Sequence, residues 1–203
     1  MPRLPDQPQA LPHAGRDDAR ISATEQADGQ SAALSPRRVM IVGGSGSGKS
    51  TLARRLGTKL GLPVYHMDRE VHWLPGWQER PRDEKPARVA EIVARDAWVF
   101  EGGHSTSYQM RLARADLLIW TDAPLWRRMG RITWRAIRER GVSRPDLADD
   151  CPERLRMLPE FWWYLWVNRR RIDQRLAALY ASATISKRKL TGFPAIEAFL
   201  ARL

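Results

Sequence analysis

From residue 38 onward, hydrophobic and polar positions form blocks that predict strands and helices in turn. Residues 39–42 are a short, largely β-branched apolar run, which is typical of a buried strand. Leu52, Leu56 and Leu60 then recur at intervals of four, which places them on one face of a helix. Later blocks predict strands at about 62–68, 98–103, 117–122 and within 184–190, and helices at about 82–95, 110–115, 125–140, 159–180 and 194–203. Strands that alternate with helices favour an α/β fold, a parallel sheet of about five strands with helices on both faces.

A glycine-rich segment joins the first predicted strand to the first predicted helix and has the pattern Gly-x-x-x-x-Gly-Lys-Ser. Its glycines allow successive N–H groups to point inward, and the following helix directs the positive end of its dipole at the same hollow. Phosphate is the ligand that fits such a hollow. We expect Lys49 to reach the β- and γ-phosphates of a nucleoside triphosphate and the Ser50 hydroxyl to ligate Mg²⁺. The predicted phosphate-binding residues are Gly43, Gly44, Ser45, Gly46, Ser47, Gly48, Lys49, Ser50 and Thr51.

Acidic side chains end three of the later predicted strands, at Asp68, Glu101 and Asp122. Ligands of parallel sheets bind beyond the carboxyl ends of the strands, so the fold brings these acids to the same edge as the glycine-rich loop. Glu101 is the predicted Mg²⁺-binding acid, acting directly or through water. For Asp68 two interpretations remain open: a catalytic group that accepts a proton from an acceptor hydroxyl or orients it, or a helix N-cap or turn residue.

The predicted helix at 125–140 carries Arg127, Arg131, Arg135 and Arg138 on one face. Because like charges repel, this arrangement favours a face directed at phosphates, and Arg131 and Arg135 are predicted to stabilise the transferring group. The alternative is a solvated face. A second basic cluster, residues 168–171, is expected to close on the same phosphates.

A tryptophan-rich loop follows Asp68. Trp73 and Trp77 either form an aromatic wall for an acceptor or anchor the loop to the core. His66, His72 and His104 lack the spacing of metal ligands, so zinc is not expected.

Composition narrows the class of protein. The chain has 203 residues with Cys151 as its single cysteine, which suits one domain in a reducing cytoplasm. No apolar run is long enough to span a membrane, so no membrane partner is expected. Residues 1–36 have the composition of a disordered extension and a net charge of −2, which leaves +13 on residues 37–203. A domain this basic is expected to bind nucleotide phosphates, nucleic acid (weakly and without sequence preference) or only counter-ions.

Four segments together resemble a known family. They are the Gly-Lys-Ser loop, HMDREVHWLPGW at 66–77, WVFEGGHSTSYQMRLARAD at 98–116 and CPERL at 151–155. They resemble the adenylate-kinase-related P-loop proteins often named DNA topology modulation protein, over about residues 38–203. The resemblance implies a three-layer P-loop NTPase fold of the nucleoside-monophosphate-kinase type, with ATP, Mg²⁺ and a small lid at about 138–156. The sequence Asp122-Ala123-Pro124 matches the Asp-x-Pro of adenylate kinases, and Arg131 and Arg135 fall where those enzymes place arginines over ATP.

The acceptor side departs from that pattern. Gly103-His104 replaces a more usual Asn-Tyr pair, and the Phe-Pro-Arg by which adenylate kinases help grip AMP is missing after Gly102. The acceptor-side candidates are Asp68, Trp73 and Arg111. The sequence thus predicts an ATP-dependent phosphotransferase that moves the γ-phosphoryl group to a small acceptor, with a nucleoside monophosphate as one candidate. The alternative is a nucleotide-binding regulatory ATPase that acts on DNA through its basic surface, although no DNA-reading motif is visible.

Overall fold

The computed structural model describes residues 36–152 and 155–203. Within them, strands β1 (Arg38–Gly43), β2 (Val64–His66), β3 (Trp73–Leu74), β4 (Gln78–Glu79), β5 (Trp98–Glu101), β6 (Leu117–Asp122) and β7 (Ser186–Thr191) are present. Five of them form one parallel sheet in the order β2-β5-β1-β6-β7, and β3 and β4 form a separate antiparallel pair. The predicted five-stranded parallel α/β fold is confirmed.

The helices follow the strands as the sequence predicts. They are α1 (Lys49–Leu60), α2 (Glu84–Val93), α3 (Tyr108–Leu112), α4 (Leu125–Arg138), α5 (Leu158–Ser182) and α6 (Gly192–Ala201). The strand predicted over 62–68 is shorter in the structure, because β2 ends at His66 and a wide helical turn, Asp68–His72, follows it almost at once. The strands β3 and β4 lie in the segment that was predicted to be a loop. None of the helices in the described ranges is long and apolar enough to cross a membrane.

Alternating residues of the central strands supply two cores, one on each face of the sheet. Met40 and Val42 point to the face covered by α2 and α5, where Trp98, Phe100 and Leu118 complete the cluster. The intervening residues of β1 point to the other face, where α1 and α6 pack. This two-residue period fixes the register of β1, because a shift by one residue would exchange the two faces. The carboxyl ends of β1, β2 and β5 therefore meet in fixed positions.

Strand β7 carries three consecutive cations, which a covered central strand would not tolerate. The structure places it at the edge of the sheet, next to β6 alone. Lys187 Nζ donates to the carbonyl oxygens of Tyr180 and Ala183, at 2.8 Å each. Lys189 Nζ lies 4.0 Å from the centre of the Trp120 ring. The charged side chains are thus satisfied at an edge.

Two further predictions concern the small lid and the N-terminal extension. The predicted lid at 138–156 falls in the connection between α4 and α5, where Ser143 and Pro152 form an isolated antiparallel bridge. The predicted disordered extension, residues 1–36, lies outside the described residues except for Pro36.

Candidate active site

The loop between β1 and α1 is a tight cradle in which side chains would not fit. A Cβ atom on Gly43 would lie 2.4 Å from the carbonyl oxygen of Thr121, on the neighbouring strand β6. Gly46 has a φ of +78°, and its Cβ atom would lie 2.7 Å from the carbonyl oxygen of Arg128. Ser47 Oγ shares a buried 2.7 Å hydrogen bond with Thr121 Oγ1. The glycine pattern is therefore required by close backbone approach, and it leaves the loop held against β6 and α4.

Helix α4 supports this loop through arginines. Arg128 Nε donates to the carbonyl oxygen of Ser45 at 2.9 Å, and Arg131 Nη1 donates to that of Gly46 at 3.3 Å. Arg128 is buried, and burial lowers the pKa of its guanidinium. The sequence analysis did not single out Arg128. A signal was present, because Arg128 shares a four-residue spacing with Ile132 and Ala136, the face of α4 that is buried.

Directly below the loop, a buried carboxylate joins three elements. Ser50 Oγ, on α1, donates to Glu101 Oε1 at 2.9 Å, and His66 Nδ1, at the end of β2, contacts the same oxygen at 2.8 Å. Lys49 Nζ lies 4.0 Å from Glu101 Oε2. Burial alone would raise the pKa of Glu101, but the hydrogen bond from His66 and the charge of Lys49 outweigh it and hold the pKa below its usual value. Glu101 is therefore an anion at the foot of the phosphate loop.

The second oxygen of Glu101 fits a hard divalent cation. Glu101 is 4% exposed, and its Oε2 has no hydrogen-bond partner among the described residues. Mg²⁺ binds carboxylate and hydroxyl oxygens, directly or through water, when phosphates supply the remaining ligands. Glu101 Oε2 and the Ser50 hydroxyl are two such oxygens. In the described ranges no three His, Cys, Asp or Glu side chains form a metal cluster of their own. The residues present therefore suit a cation that arrives with a nucleotide.

A cavity of about 710 Å³ opens from the loop and extends well beyond the space above Lys49. Four cationic side chains line it, one each from α1, α4, the lid connection and α5: Lys49, Arg135, Arg144 and Arg175. Aromatic rings cover much of the rest, at Trp73, Trp77, Tyr108, Phe161 and Tyr164. The cavity thus combines a phosphate cradle at one end with a cationic and aromatic chamber at the other.

Asp68 lines this cavity and is exposed to it. It is the first residue of the wide helical turn Asp68–His72, whose cap position is occupied by Met67. The surrounding protein raises the pKa of Asp68 by desolvation, and the negative charge of Glu101 adds to the effect. Asp68 is therefore a cavity-lining carboxyl group that protonates more readily than an ordinary aspartate.

The tryptophan loop lies between the cavity and a small core. Trp73 and Trp77 line the cavity, with ring centres 5.3 Å apart in an edge-to-face arrangement. They also pack against a small core formed by Leu147, Ala148 and Cys151 of the lid connection. The tryptophan loop and the lid connection therefore close one side of the cavity together.

The lid connection also sends a carboxylate toward the loop. Asp146 is buried and accepts a 3.0 Å hydrogen bond from Arg144 Nη1. Burial would raise the pKa of Asp146, but the charge of Arg144 and the nearby Ser50 hydroxyl hold it low. Neither residue was singled out from the sequence, where both lie in a polar loop without periodicity.

His104, part of the departure from the adenylate kinase pattern, also lines the cavity. Its ring meets that of His72 edge to face, with centres 5.1 Å apart. Partial burial, followed by the positive charges of His72 and Lys85, lowers the pKa of His104 to about 4. The ring is therefore neutral at physiological pH.

Some predicted residues do not reach the cavity. The Arg111 guanidinium is buried behind it and donates to the carbonyl oxygens of Phe100, at 2.6 Å, and Gly102, at 2.8 Å. Burial lowers the pKa of Arg111 to about 10. In this arrangement Arg111 fixes the end of β5 and has no surface left for an acceptor. Asp122 also turns away, with its Oδ2 3.1 Å from Lys189 Nζ.

The predicted basic clusters are divided by the structure. On α4, Arg135 lines the cavity and Arg131 contacts the loop, whereas Arg127 and Arg138 are exposed. On α5, residues 169–171 do not line the cavity; Arg175, one turn further on, does, and its Nη1 donates to Ser105 Oγ at 3.3 Å. The conspicuous basic run at 168–171 therefore does not mark the turn of α5 that lines the cavity.

Comparison with known proteins gives a limited result. No protein-family model matches this chain, and no curated protein matches it. The chain is similar to the solved structure of shikimate kinase from Acinetobacter baumannii in complex with shikimate, with 19% sequence identity, a TM-score of 0.49, and coverage of 83% of this chain and 90% of that one. It is also similar to shikimate kinase from Bacteroides thetaiotaomicron, with 15% identity, a TM-score of 0.49, and coverage of 82% and 95%. Likeness at this level identifies neither a substrate nor a family for this chain.

Proposed function

We propose that this protein is an ATP-dependent phosphotransferase that moves the γ-phosphoryl group of ATP to a small acceptor carrying a negatively charged group. The observation that carries the proposal is a single cavity that is lined by the phosphate loop, at Lys49, and also by Asp68, Arg144 and Arg175. A nucleotide switch needs the cradle, but a transferase also needs room for a second molecule in line with the γ-phosphate.

The nucleotide end would work through electrostatics. The loop amides and Lys49 hold the phosphates, while Ser50 and Glu101 hold Mg²⁺, which neutralises charge on the phosphates when bound. Arg131 and Arg135 reach the same end from α4, and Arg128 keeps the loop in place from beneath. Planar guanidinium groups suit the equatorial oxygens of a transferring phosphoryl group.

The acceptor end would supply a base and an anion site. An acceptor hydroxyl oxygen attacks the γ-phosphorus, the bond from that phosphorus to the bridging oxygen breaks, and ADP leaves. The hydroxyl proton passes to Asp68, whose raised pKa suits it to accept a proton. Arg144 and Arg175 would bind a carboxylate or phosphate on the acceptor, and the rings of Trp73 and Trp77 would pack on its body.

The DNA-acting alternative, which includes the resemblance to DNA topology modulation proteins, has less support. Four of the basic side chains point into the cavity, where a duplex cannot enter. The general charge of the domain favours weak attraction of any polyanion but not a specific DNA complex. We propose that the enzyme acts in the cytoplasm, as its single cysteine suggests.

An acceptor screen tests the proposal. ADP release from MgATP would be measured over nucleoside monophosphates, shikimate-like acids and sugar acids, with wild-type protein and with Lys49→Ala and Asp68→Asn. We expect one class of acceptor to stimulate ADP release and Lys49→Ala to abolish that release. Asp68→Asn should reduce turnover without lowering the affinity for ATP. Lys59→Ala, on the far end of α1, is the matched control and should retain activity. ATP hydrolysis that no acceptor stimulates and that DNA stimulates would favour the alternative.

A further inference from the structure

A second concave surface lies between α4 and α5, away from the phosphate cradle. It is a groove of about 510 Å³ lined by Trp126, Met129, Gly130, Thr133, Trp134, Ile137 and Trp162. Its apolar side chains are open to solvent: Trp126 is 68% exposed, Trp134 60% and Ile137 62%. Trp166 lies one turn after Trp162 on α5 and is 52% exposed. We call Trp126, Trp134, Ile137, Trp162 and Trp166 the tryptophan surface.

Arginines accompany the exposed rings. The guanidinium carbon of Arg127 lies 4.9 Å from the centre of the Trp126 ring, and that of Arg138 lies 4.9 Å from the centre of the Trp134 ring. On α5, Arg169 lies 3.9 Å from the centre of the Trp166 ring. Helix α4 contains no acidic residue at all. The surface therefore combines exposed apolar side chains with adjacent positive charges.

We propose that the tryptophan surface binds peripherally to a bilayer that contains anionic phospholipid. Tryptophan is the side chain that best occupies the boundary between lipid chains and headgroups, because its ring is apolar and its N–H remains polar. Arginines beside the rings would meet the lipid phosphates at the same depth. The aliphatic side chain of Ile137 would enter the acyl region between them. Peripheral binding needs no membrane-spanning helix. The sequence-based expectation of no membrane partner came from the lack of a spanning segment, so it does not apply to peripheral binding.

Two other occupants fit the surface less well. A second copy of the chain would bring the same arginines opposite one another without acids on α4 to pair with them, which costs free energy. A single-stranded nucleic acid would use the rings and cations, but it gains little from the exposed aliphatic side chain of Ile137 and needs open ring faces for stacking. Guanidinium groups already lie over three of the rings. Lipid uses the aliphatic, aromatic and cationic parts together.

Co-sedimentation with vesicles tests the inference and does not depend on the proposed catalytic activity. The full chain would be mixed with vesicles of phosphatidylcholine and phosphatidylglycerol, and with vesicles of phosphatidylcholine alone. We expect binding to the anionic vesicles that weakens as salt is raised. The double variant Trp126→Ser/Trp134→Ser should lower the partition coefficient by about tenfold or more, and Arg127→Gln/Arg138→Gln should remove most of the preference for anionic lipid.

A matched control separates a specific surface from general stickiness. Phe193→Ser removes an exposed ring from α6, outside this surface, and should leave vesicle binding unchanged. Unchanged melting temperatures would show that all variants are folded. The proposal is overturned if wild-type protein does not sediment with anionic vesicles, if Phe193→Ser weakens binding as much as the tryptophan pair, or if the tryptophan pair instead abolishes a dimer or the binding of a single-stranded oligonucleotide.

Discussion

Ser50 on α1 and Glu101 at the end of β5 are joined by a 2.9 Å hydrogen bond between Oγ and Oε1, across 51 positions of sequence. The bond exists because β1 and β5 are neighbours in register, so the residues that follow one strand meet the last residue of the other. It links the phosphate loop to a buried anion whose other oxygen has no hydrogen-bond partner among the described residues. In our account this pair is the Mg²⁺ end of the active site.

Glu101→Gln should separate binding of the metal complex from binding of the nucleotide. The substitution keeps the shape of the side chain but removes its charge, so affinity for MgATP should fall by about tenfold while affinity for ATP without Mg²⁺ changes much less. Isothermal titration calorimetry measures both. Glu91→Gln, on the exposed side of α2, is the control and should change neither. Equal losses with and without Mg²⁺ would show that Glu101 supports the fold and not the cation.

Arg131 and Arg135 should matter more for turnover than for ATP binding. If they stabilise charge on the transferring group, either alanine variant should lower kcat by on the order of a thousandfold, or about 4 kcal/mol of barrier. Arg131→Lys should stay slow, because lysine keeps the charge but loses the planar fork. Steady-state kinetics and calorimetry separate the two effects once an acceptor is known.

The same helix supplies the control for these arginines. Arg127 lies on the exposed side of α4, over Trp126, and Arg127→Ala should leave turnover unchanged. If Arg131 and Arg135 were DNA contacts instead, their alanine variants would weaken DNA binding uniformly across sequences and lower its salt dependence by about one unit each. That result together with full turnover would remove the catalytic role proposed for α4.

Two glycines of the described chain should respond to alanine in opposite directions. Gly43→Ala places a Cβ atom 2.4 Å from the Thr121 carbonyl oxygen. This clash can be relieved only if the backbone moves. We expect a loss of about 1–3 kcal/mol in the free energy of unfolding, with weaker ATP binding. Gly130→Ala adds a Cβ atom to α4 with nothing within 4 Å and should gain about 0.5–1 kcal/mol from helix propensity. Denaturant unfolding measures both, and a neutral Gly43→Ala would contradict the tight packing of the loop against β6.

Cys151 should report opening of the cavity wall formed by the lid connection and the tryptophan loop. The thiol is fully buried, and the backbone N–H of Trp77 donates to its sulfur at 3.2 Å. Because Cys151 is the single cysteine of the chain, its rate of modification by an aromatic disulfide reagent is read without interference. Trp77→Ala should raise that rate by about tenfold or more, since the wall then opens at lower cost. Trp163→Ala, at an exposed position of α5, should not change it; equal acceleration by both variants would mean that the wall does not depend on Trp77.

The sequence predicted the elements that depend on local pattern. The glycine loop, the strand-end acid Glu101 and the helical face with Arg131 follow from residue spacing and from the rule that parallel strands end at one edge. The position of β7 was harder, because its cations look unsuitable until the sheet order makes it an edge strand. Sheet order is a property of the whole chain and not of the segment.

The residues missed by the sequence analysis come to the site only through tertiary packing. Arg144 and Asp146 come from an aperiodic connection, so no spacing marks them. Arg175 is a single cation one turn beyond a conspicuous basic run, and the run itself faces away. Arg111 shows the opposite error, because a cation in a family-like segment was assigned to the acceptor although its guanidinium supports backbone carbonyls.

Transfer of labelled phosphate tests directly whether this protein is a phosphotransferase. ATP labelled at the γ-phosphate would be incubated with the protein, Mg²⁺ and each acceptor class, and the products separated. We predict that label appears on an anionic acceptor in a one-to-one ratio with ADP, and that Lys49→Ala abolishes this transfer. Label that appears only in inorganic phosphate, at a rate no acceptor changes, would contradict the claim that this protein is a phosphotransferase.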